Sequence, residues 1–120
     1  MDTVRHILRL AGFDGVEAME VNDPLTLSVS EVMDLTVEKV GKNRLSVAHY
    51  WERRGDLMRD PEIVFTVENG WTPIRYRQDP GLALADENGL DIEDFVSQWD
   101  NNLRRQGFIA AAKDRYNDKT

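Results

Sequence analysis

Residues 44–51 read RLSVAHYW, and this alternating run decides the fold. Apolar or aromatic residues occupy every second position, a pattern of period two that is typical of a β-strand with one buried face. One predicted face carries Leu45, Val47, His49 and Trp51, and the other carries Ser46, Ala48 and Tyr50. The fold is therefore expected to be built around a sheet.

Further alternating runs lie on both sides of this strand. Residues 33–40 and 62–68 show the same period, and residues 72–77 alternate again after an Asn-Gly pair at 69–70. That pair and the Gly-Lys-Asn sequence at 41–43 favour tight hairpin turns, across which neighbouring strands pair antiparallel. These patterns together predict an antiparallel meander of four or five strands.

Three segments leave alternatives open. Pro73 has no amide hydrogen, so its strand is either an edge strand or turns the proline away from its pairing neighbour. Leu82 and Leu84 are compatible with one more short strand. Residues 25–33 alternate, which favours a strand, and the alternative is a helix that begins at Pro24 and places its apolar residues on one face.

Helices are predicted at the two ends of the chain. Residues 2–11 repeat apolar positions at helical spacing and are followed by Gly12, which is typical of a helix C-terminus. A second helix is predicted over 91–106, with its first residue as N-cap, and a short third one over 109–116, before frayed residues 117–120. The chain is thus expected to be one α+β domain, residues 1–120, in which the helices 2–11 and 91–106 cover an antiparallel sheet.

The composition excludes several classes of site. The 120 residues include no cysteine, so disulfides, thiolate metal sites and thiol nucleophiles are excluded. The two histidines, His6 and His49, are too far apart in sequence for the closely spaced pair of a metal-dependent hydrolase. No cofactor and no metal site are expected. No apolar run is long enough to cross a membrane, and a cytoplasmic location is expected.

The negative charge of the chain is concentrated in one stretch. The formal net charge is −7, and residues 79–103 contain seven acidic residues and no basic one. This distribution argues against direct binding of nucleic acid or a membrane and favours a protein partner with a basic surface. The alternative is a solvated helix start that the helix dipole favours. The candidate acidic face consists of Asp86, Glu87, Asp91, Glu93, Asp94 and Asp100.

A second candidate site lies in the polar stretch 52–61, which is expected to be a long loop between two strands. Long polar loops on a sheet are common places for binding sites. The alternative is that the charges only pair among themselves, for instance Arg59 with Asp56 or Asp60. Arg75 and Arg77 are expected to share a strand face with Trp71, where a guanidinium group can stack on an aromatic ring. The candidate binding residues are Arg53, Arg54, Asp56, Arg59, Asp60, Trp71, Arg75 and Arg77.

His49 is the one residue that suggests catalysis. A histidine near its ordinary pKa is a common general base, and Glu52 or Asp56 is a candidate to orient it. Its position in the alternation with Leu45 and Val47 instead favours a buried, hydrogen-bonded side chain. The second reading is preferred, and no catalytic residue is assigned.

Four short stretches carry a resemblance to a known family: LSVAHYW at 45–51, GDLMRDPE at 55–62, YRQD at 76–79 and QGF at 106–108. Over residues 33–110 the chain resembles a family of small uncharacterised bacterial domains carried on plasmids, phages and integrating elements. The resemblance implies no reaction. It implies a setting on mobile DNA, where small acidic proteins often block host defence.

The favoured function is therefore a non-catalytic mobile-element accessory protein that binds another protein. An acidic inhibitor of a host defence enzyme that handles nucleic acid, of the anti-CRISPR or anti-restriction type, fits this expectation. The alternative is a small enzyme or ligand-binding domain that uses His49 and the loop from Asp56 to Asp60. The sequence leaves the oligomeric state open.

Overall fold

The fold is described by a computed structural model that covers residues 1–13, 15–68 and 70–118, with side chains up to residue 115. The predicted turn residue Asn69 and the last two residues of the predicted frayed end lie outside the described residues. The helices are α1 (Asp2–Leu10), α2 (Glu93–Arg105) and α3 (Phe108–Asp118), and a short 3-10 helix spans Val16–Ala18. The strands are β1 (Leu25–Leu27), β2 (Asp34–Gly41), β3 (Arg44–Arg53), β4 (Asp56–Thr66), β5 (Thr72–Gln78) and β6 (Leu82–Ala85).

The six strands form one sheet in the order β1-β2-β3-β4-β5-β6, and every neighbouring pair is antiparallel. The predicted α+β class and the antiparallel meander are confirmed. The predicted count of four or five strands is too low. Both edge strands are short, three residues in β1 and four in β6, so the local pattern that marks a strand is weakest there.

Two of the open alternatives are settled by pairing. Residues 25–27 form β1 against β2, whereas residues 28–33 form a turn in which the Val32 N–H donates to the Val29 carbonyl (3.1 Å). A helix from Pro24 is therefore wrong. The strand that contains Pro73 lies between β4 and β6, so it is not an edge strand. Pro73 lies beside a register shift and outside the part of β5 that pairs with β6.

The predicted long loop at 52–61 is wrong. β3 continues to Arg53 and β4 begins at Asp56, so only Arg54 and Gly55 connect them. Both residues have positive φ angles, 52° and 87°, as in the two-residue turns that match the twist of paired strands. The stretch is therefore a paired hairpin with its polar residues on the strands.

Pro61 explains why the start of β4 is hard to recognise from the sequence. A proline usually ends a strand because it cannot donate to the ladder. Here the register shifts between Ala48 and Tyr50 of β3, so that His49 faces a bulge at Asp60 and Pro61. A bulge leaves an unpaired position, and the strand passes through the proline without losing a ladder hydrogen bond.

The core lies between one face of the sheet and the three helices. Buried side chains from β2, β3 and β4, among them Leu35, Val47 and Phe65, form one cluster with residues of α1, α2 and α3. Helix α1 ends as predicted, since the Gly12 and Phe13 N–H groups donate to the Arg9 and Leu8 carbonyls (3.1 and 2.9 Å). In the described part of the chain, no helix packs on the opposite face of the sheet. None of the described helices is long and apolar enough to cross a bilayer.

Candidate functional site

Strand β6 is an open edge of the sheet. All four of its residues are exposed, and among the described strands it pairs with β5 alone. The Asp86 N–H donates to the Ile74 carbonyl (2.9 Å), and this bond shows which residues of β6 turn their backbone groups toward β5, since alternate residues of an antiparallel strand do so. Leu82 and Leu84 therefore hydrogen-bond to β5, and the backbone N–H and C=O groups of Ala83 and Ala85 point outward.

Exposed apolar side chains lie along this edge. Leu82 and Leu84 are each 46% exposed, and Phe95, in the first turn of α2, is 37% exposed. Phe95 packs edge-on against Tyr76 of β5, with 5.5 Å between the ring centroids. Because Tyr76 is the direct partner of Leu84, this contact holds the start of α2 beside β6.

Four exposed carboxylates lie at the end of β6 and at the start of α2. Asp86 follows β6 directly and accepts a hydrogen bond from the Asn88 N–H (2.9 Å), which shapes the connecting turn. Asp91, Glu93 and Asp94 are exposed and make no ion pair with a described residue. We use the name β6 surface for strand β6 together with Phe95, Asp86, Asp91, Glu93 and Asp94.

Two members of the predicted acidic face have partners inside the molecule. Glu87 forms an ion pair with Arg44 (Oε2 to Nη2, 2.7 Å), and Arg75 lies 3.8 Å from its other oxygen. Asp100 accepts a hydrogen bond from the Thr3 N–H (2.8 Å), one of the amides at the start of α1 that lack a helical partner. Of the six acidic residues that the sequence grouped into one face, the four without these internal partners are those of the β6 surface. The predicted Asp91 cap is also not formed, because Ile92 is the N-cap of α2.

The charged residues of the β3–β4 hairpin do not converge on one site. Arg53, Arg54 and Asp56 are exposed at its tip. Arg59 lies further along and pairs with Asp79 and Glu62 instead of the suggested Asp56 or Asp60, at distances of 3.2 and 3.5 Å; Asp60 is half-buried.

Asp79 is held by both the backbone and the side chain of Arg59. Its carboxylate accepts hydrogen bonds from the Arg59 backbone N–H (2.9 Å) and from Nε (3.2 Å). These bonds, the backbone one above all, lower the pKa of Asp79 below its ordinary value of 3.8. The arrangement ties the end of β5 to β4.

The expected shared face of Trp71, Arg75 and Arg77 is not formed. Trp71 packs on Phe65 in the core, with ring centroids 5.5 Å apart, and Arg5 lies over its ring at 5.2 Å. Arg75 is paired with Val64 on the uncovered face of the sheet. The register shift after Val64 adds one residue to β5, and one added residue reverses which face the following side chains occupy.

Arg75 and Arg77 line a shallow groove on the uncovered face. The groove has a volume of ≈ 430 Å³ and also contacts Ala83 and Ala85 of β6. The guanidinium group of Arg75 is shared with Glu87, and Arg77 is the strand partner of Glu62. These acidic neighbours offset the positive charge, so the groove is a continuation of the β6 edge with mixed charge.

His49 lies in the core and not in a cleft. Its ring is buried between Trp99 and Phe108, with centroid distances of 5.5 and 5.6 Å, and Nδ1–H donates to the Asp34 carbonyl (3.3 Å). Burial lowers the pKa of His49 below its ordinary value of 6.5 and outweighs the opposing hydrogen bond. The predicted buried, hydrogen-bonded state is confirmed, and no carboxylate of Glu52 or Asp56 is hydrogen-bonded to it. No group of three or more His, Asp or Glu side chains able to hold a metal occurs among the described residues.

The sequence interpretation missed the exposed apolar residues of the β6 surface. Phe95 has the spacing of a core position in α2, and Leu82 and Leu84 have the spacing of an ordinary strand. The available signal was the combination of an uncharged strand, Leu82–Ala85, with acidic residues immediately after it. A short strand at the end of a meander is by position an edge strand, which makes its exposure predictable.

Comparison with known proteins places the chain in a family. Residues 2–109 match the family described as Domain of unknown function (DUF6908). The chain belongs to this family. The match includes α1, which lies outside the region 33–110 of the resemblance noted above, so the DUF6908 domain comprises the whole sheet with α1 and α2. No curated protein and no solved structure shows significant similarity to the chain.

Proposed function

We propose that this chain is a non-catalytic protein-binding domain whose partner presents a basic surface to the β6 surface. The observation that carries the proposal is the exposure of Leu82, Leu84 and Phe95 together with exposed carboxylates at the end of β6 and the start of α2. An apolar centre with a charged rim is the anatomy of many protein interfaces. Basic side chains of a partner would meet the rim, and apolar side chains would cover the centre.

The helix dipole accounts for only part of this arrangement. Glu93 and Asp94 lie in the first turn of α2, where negative charge stabilises a helix without any partner. The dipole does not account for the open edge of β6 or for the exposed leucines beside it. The coincidence of these features at one end of the sheet supports binding over a merely solvated helix start.

The resemblance to domains carried on plasmids, phages and integrating elements suggests the class of partner. We propose an enzyme of host defence that handles nucleic acid, as in anti-CRISPR or anti-restriction inhibition. The nucleic-acid groove of such an enzyme is basic because it must neutralise phosphates. The exposed carboxylates of the β6 surface would occupy that groove in place of phosphate, and the setting is the cytoplasm.

The test is capture of the partner with matched variants. The chain is immobilised and exposed to a lysate of the organism that encodes it, in parallel with the triple variant Asp91→Asn, Glu93→Gln, Asp94→Asn. We expect a basic protein to be retained by the parent chain and at least tenfold less by the variant. Retention should fall as salt rises, because exposed charges are screened beyond about 3 Å at 1 M ionic strength.

A second triple variant controls for net charge. Glu17→Gln, Glu20→Gln and Asp23→Asn remove the same number of exposed carboxylates from another part of the surface. This variant should retain the partner as well as the parent does. Equal retention by both triple variants at low and high salt would show that the β6 surface is not the binding site.

A further inference from the structure

We propose that β6 binds an extended basic segment of the partner as a seventh strand of the sheet. This inference rests on the proposed function and specifies how the β6 surface would recognise its partner. Strand addition to an open edge is a recurring mode of peptide recognition, in which backbone hydrogen bonds supply affinity and side chains supply specificity.

The backbone of β6 is available for this pairing. The outward N–H and C=O groups of Ala83 and Ala85 have no hydrogen-bond partner among the described residues. Proteins usually protect such an edge with a charge, a proline, a bulge or a covering element. Residues 82–85 contain neither charge nor proline, and all four are exposed.

The side chains of β6 favour the close approach of another strand. Ala83 and Ala85, whose backbone groups point outward, carry small side chains and border the groove on the uncovered face. Leu82 and Leu84 lie on the other face, toward Tyr76 and Phe95. An added strand would therefore place alternate side chains beside Leu82 and Leu84, on the face where α2 begins, and the others over the alanines, since the side-chain period of a strand is two. Basic side chains on the first face would cover the leucines with their methylene stems and bring their charges near the carboxylates at the start of α2.

Charge selects a basic segment over a second copy of this chain. Asp86 follows β6 immediately, and the exposed Asp91, Glu93 and Asp94 lie at the start of the adjacent helix α2. Two copies paired through β6 would bring these carboxylates together, and like charges across an interface are strongly disfavoured. Lysine or arginine side chains of an added strand would be attracted to the same positions.

The probe is a synthetic decapeptide of alternating lysine and valine, added to the full chain. We expect saturating peptide to slow hydrogen exchange of the Ala83 and Ala85 amides at least tenfold, because these amides would become hydrogen-bonded. A peptide with alternating glutamate and valine should not protect them. A lysine–valine peptide with a proline at its centre should also fail, since it keeps the positive charge but interrupts the ladder.

Two variants of the chain separate backbone pairing from charge. Ala83→Pro removes an outward N–H that β5 does not use, and Ala83→Val keeps that N–H. We expect Ala83→Pro to weaken binding of the lysine–valine peptide at least tenfold and Ala83→Val to change it less than threefold. The midpoint of urea unfolding checks that both variants are folded, and the exchange measurement on the parent chain needs no variant.

The outcomes distinguish this inference from the proposed function. If the triple variant of Asp91, Glu93 and Asp94 loses the peptide while Ala83→Pro binds normally and no amide of β6 is protected, the charged surface stands and strand addition is wrong. If neither variant weakens binding, both proposals are wrong. If the chain instead forms a dimer in solution that Ala83→Pro dissociates, the occupant of the edge is a second copy and the inference is overturned.

Discussion

The two edges of the sheet are built in opposite ways. At one edge, β1 has only three residues, follows Pro24 directly, and lies against α3, whose Arg115 donates from Nη1 to the Thr26 carbonyl (3.1 Å). At the other edge, β6 has four exposed residues, and no described residue bonds to its outward backbone groups. Both edge strands are short, but the first is also contacted by a helix and bonded on its outward side, whereas no described residue covers the second. The edge at β1 is therefore closed to a further strand, and the edge at β6 is accessible to a partner.

The helices near the two edges, α3 near β1 and α2 near β6, also differ in how a phenylalanine is used. Phe108, at the start of α3, is fully buried and packs against His49. Phe95, beside β6, packs on Tyr76 but remains 37% exposed. One phenylalanine therefore belongs to the core and the other lies partly on the surface.

The largest expected effect comes from truncating these two side chains. Phe108→Ala should lower the free energy of unfolding by about 3–5 kcal/mol, because it leaves a cavity in the core. Phe95→Ala should cost only about 1–2 kcal/mol, because part of that side chain already contacts water. Urea unfolding measures both values, and Phe95→Ala alone should weaken binding to the basic peptide. Equal losses of stability would remove the contrast between the buried Phe108 of α3 and the partly exposed Phe95 of α2.

The next effect is a pH dependence of the free energy of unfolding, which is due to His49 on the face of the sheet that the helices cover. Because burial lowers the pKa of His49 in the folded state, this side chain binds a proton near pH 6.5 in the unfolded chain but stays neutral in the folded one. The free energy of unfolding should therefore fall as the pH drops below about 6.5, by at most roughly 1.4 kcal/mol per pH unit. The fall should stop once the pH is below the pKa of the folded state.

Urea unfolding at pH 7, 6 and 5 measures this dependence, and His49→Gln should remove the part due to this side chain. Asp79 is separable, because its lowered pKa makes its contribution present above pH 3.8 and lost only as the pH falls further. An unchanged slope in His49→Gln would contradict the assignment to His49.

A smaller effect tests the protection of β1. Arg115→Ala removes the hydrogen bond to the Thr26 carbonyl and should lower the free energy of unfolding by about 1 kcal/mol or less. Amide exchange in β1 should become faster, which hydrogen-exchange mass spectrometry resolves. Lys113→Ala, an exposed substitution on the same helix, is the matched control and should leave β1 unchanged. If both variants behave alike, Arg115 does not protect this edge.

The smallest effect tests the charge beside β6. Arg44→Gln breaks the exposed ion pair with Glu87 and should cost only about 0.2–1 kcal/mol of stability. It also leaves Glu87 with less compensation, so binding of the lysine–valine peptide should become up to threefold tighter at low salt. Arg53→Gln removes the same charge at the hairpin tip, where it forms no ion pair with Glu87, and should have a weaker effect on binding. Weaker binding by Arg44→Gln would contradict the role of negative charge at this edge.

Several features of the candidate site were predictable from the sequence and several were not. The concentration of acidic residues in 79–103 is visible in the sequence and includes the four acidic residues of the β6 surface. The internal partners of Glu87 and Asp100 are not visible there, because Arg44 and Thr3 lie 43 and 97 residues away along the chain. Which carboxylates stay available to a partner therefore depends on long-range packing.

The sequence by itself determined the elements that have a strong local period. The strands at 44–51 and 72–77, the helix ends at Gly12 and Gly107, and the burial of His49 all follow from alternation or from cap chemistry within a few residues. These features depend on residues close together in the sequence, so each segment predicts them without its tertiary neighbours.

Only the tertiary structure decided the register of the sheet and the nature of its edges. The bulge at Asp60 and Pro61 turned a predicted loop into a paired hairpin, and the shift after Val64 moved Arg75 to the face opposite Trp71. Likewise, Arg115 protects β1 while no described residue covers β6. A strand's pattern shows that it has a buried face, but its register, its neighbours and its free edge depend on hydrogen bonds and packing with distant segments, which no local pattern encodes.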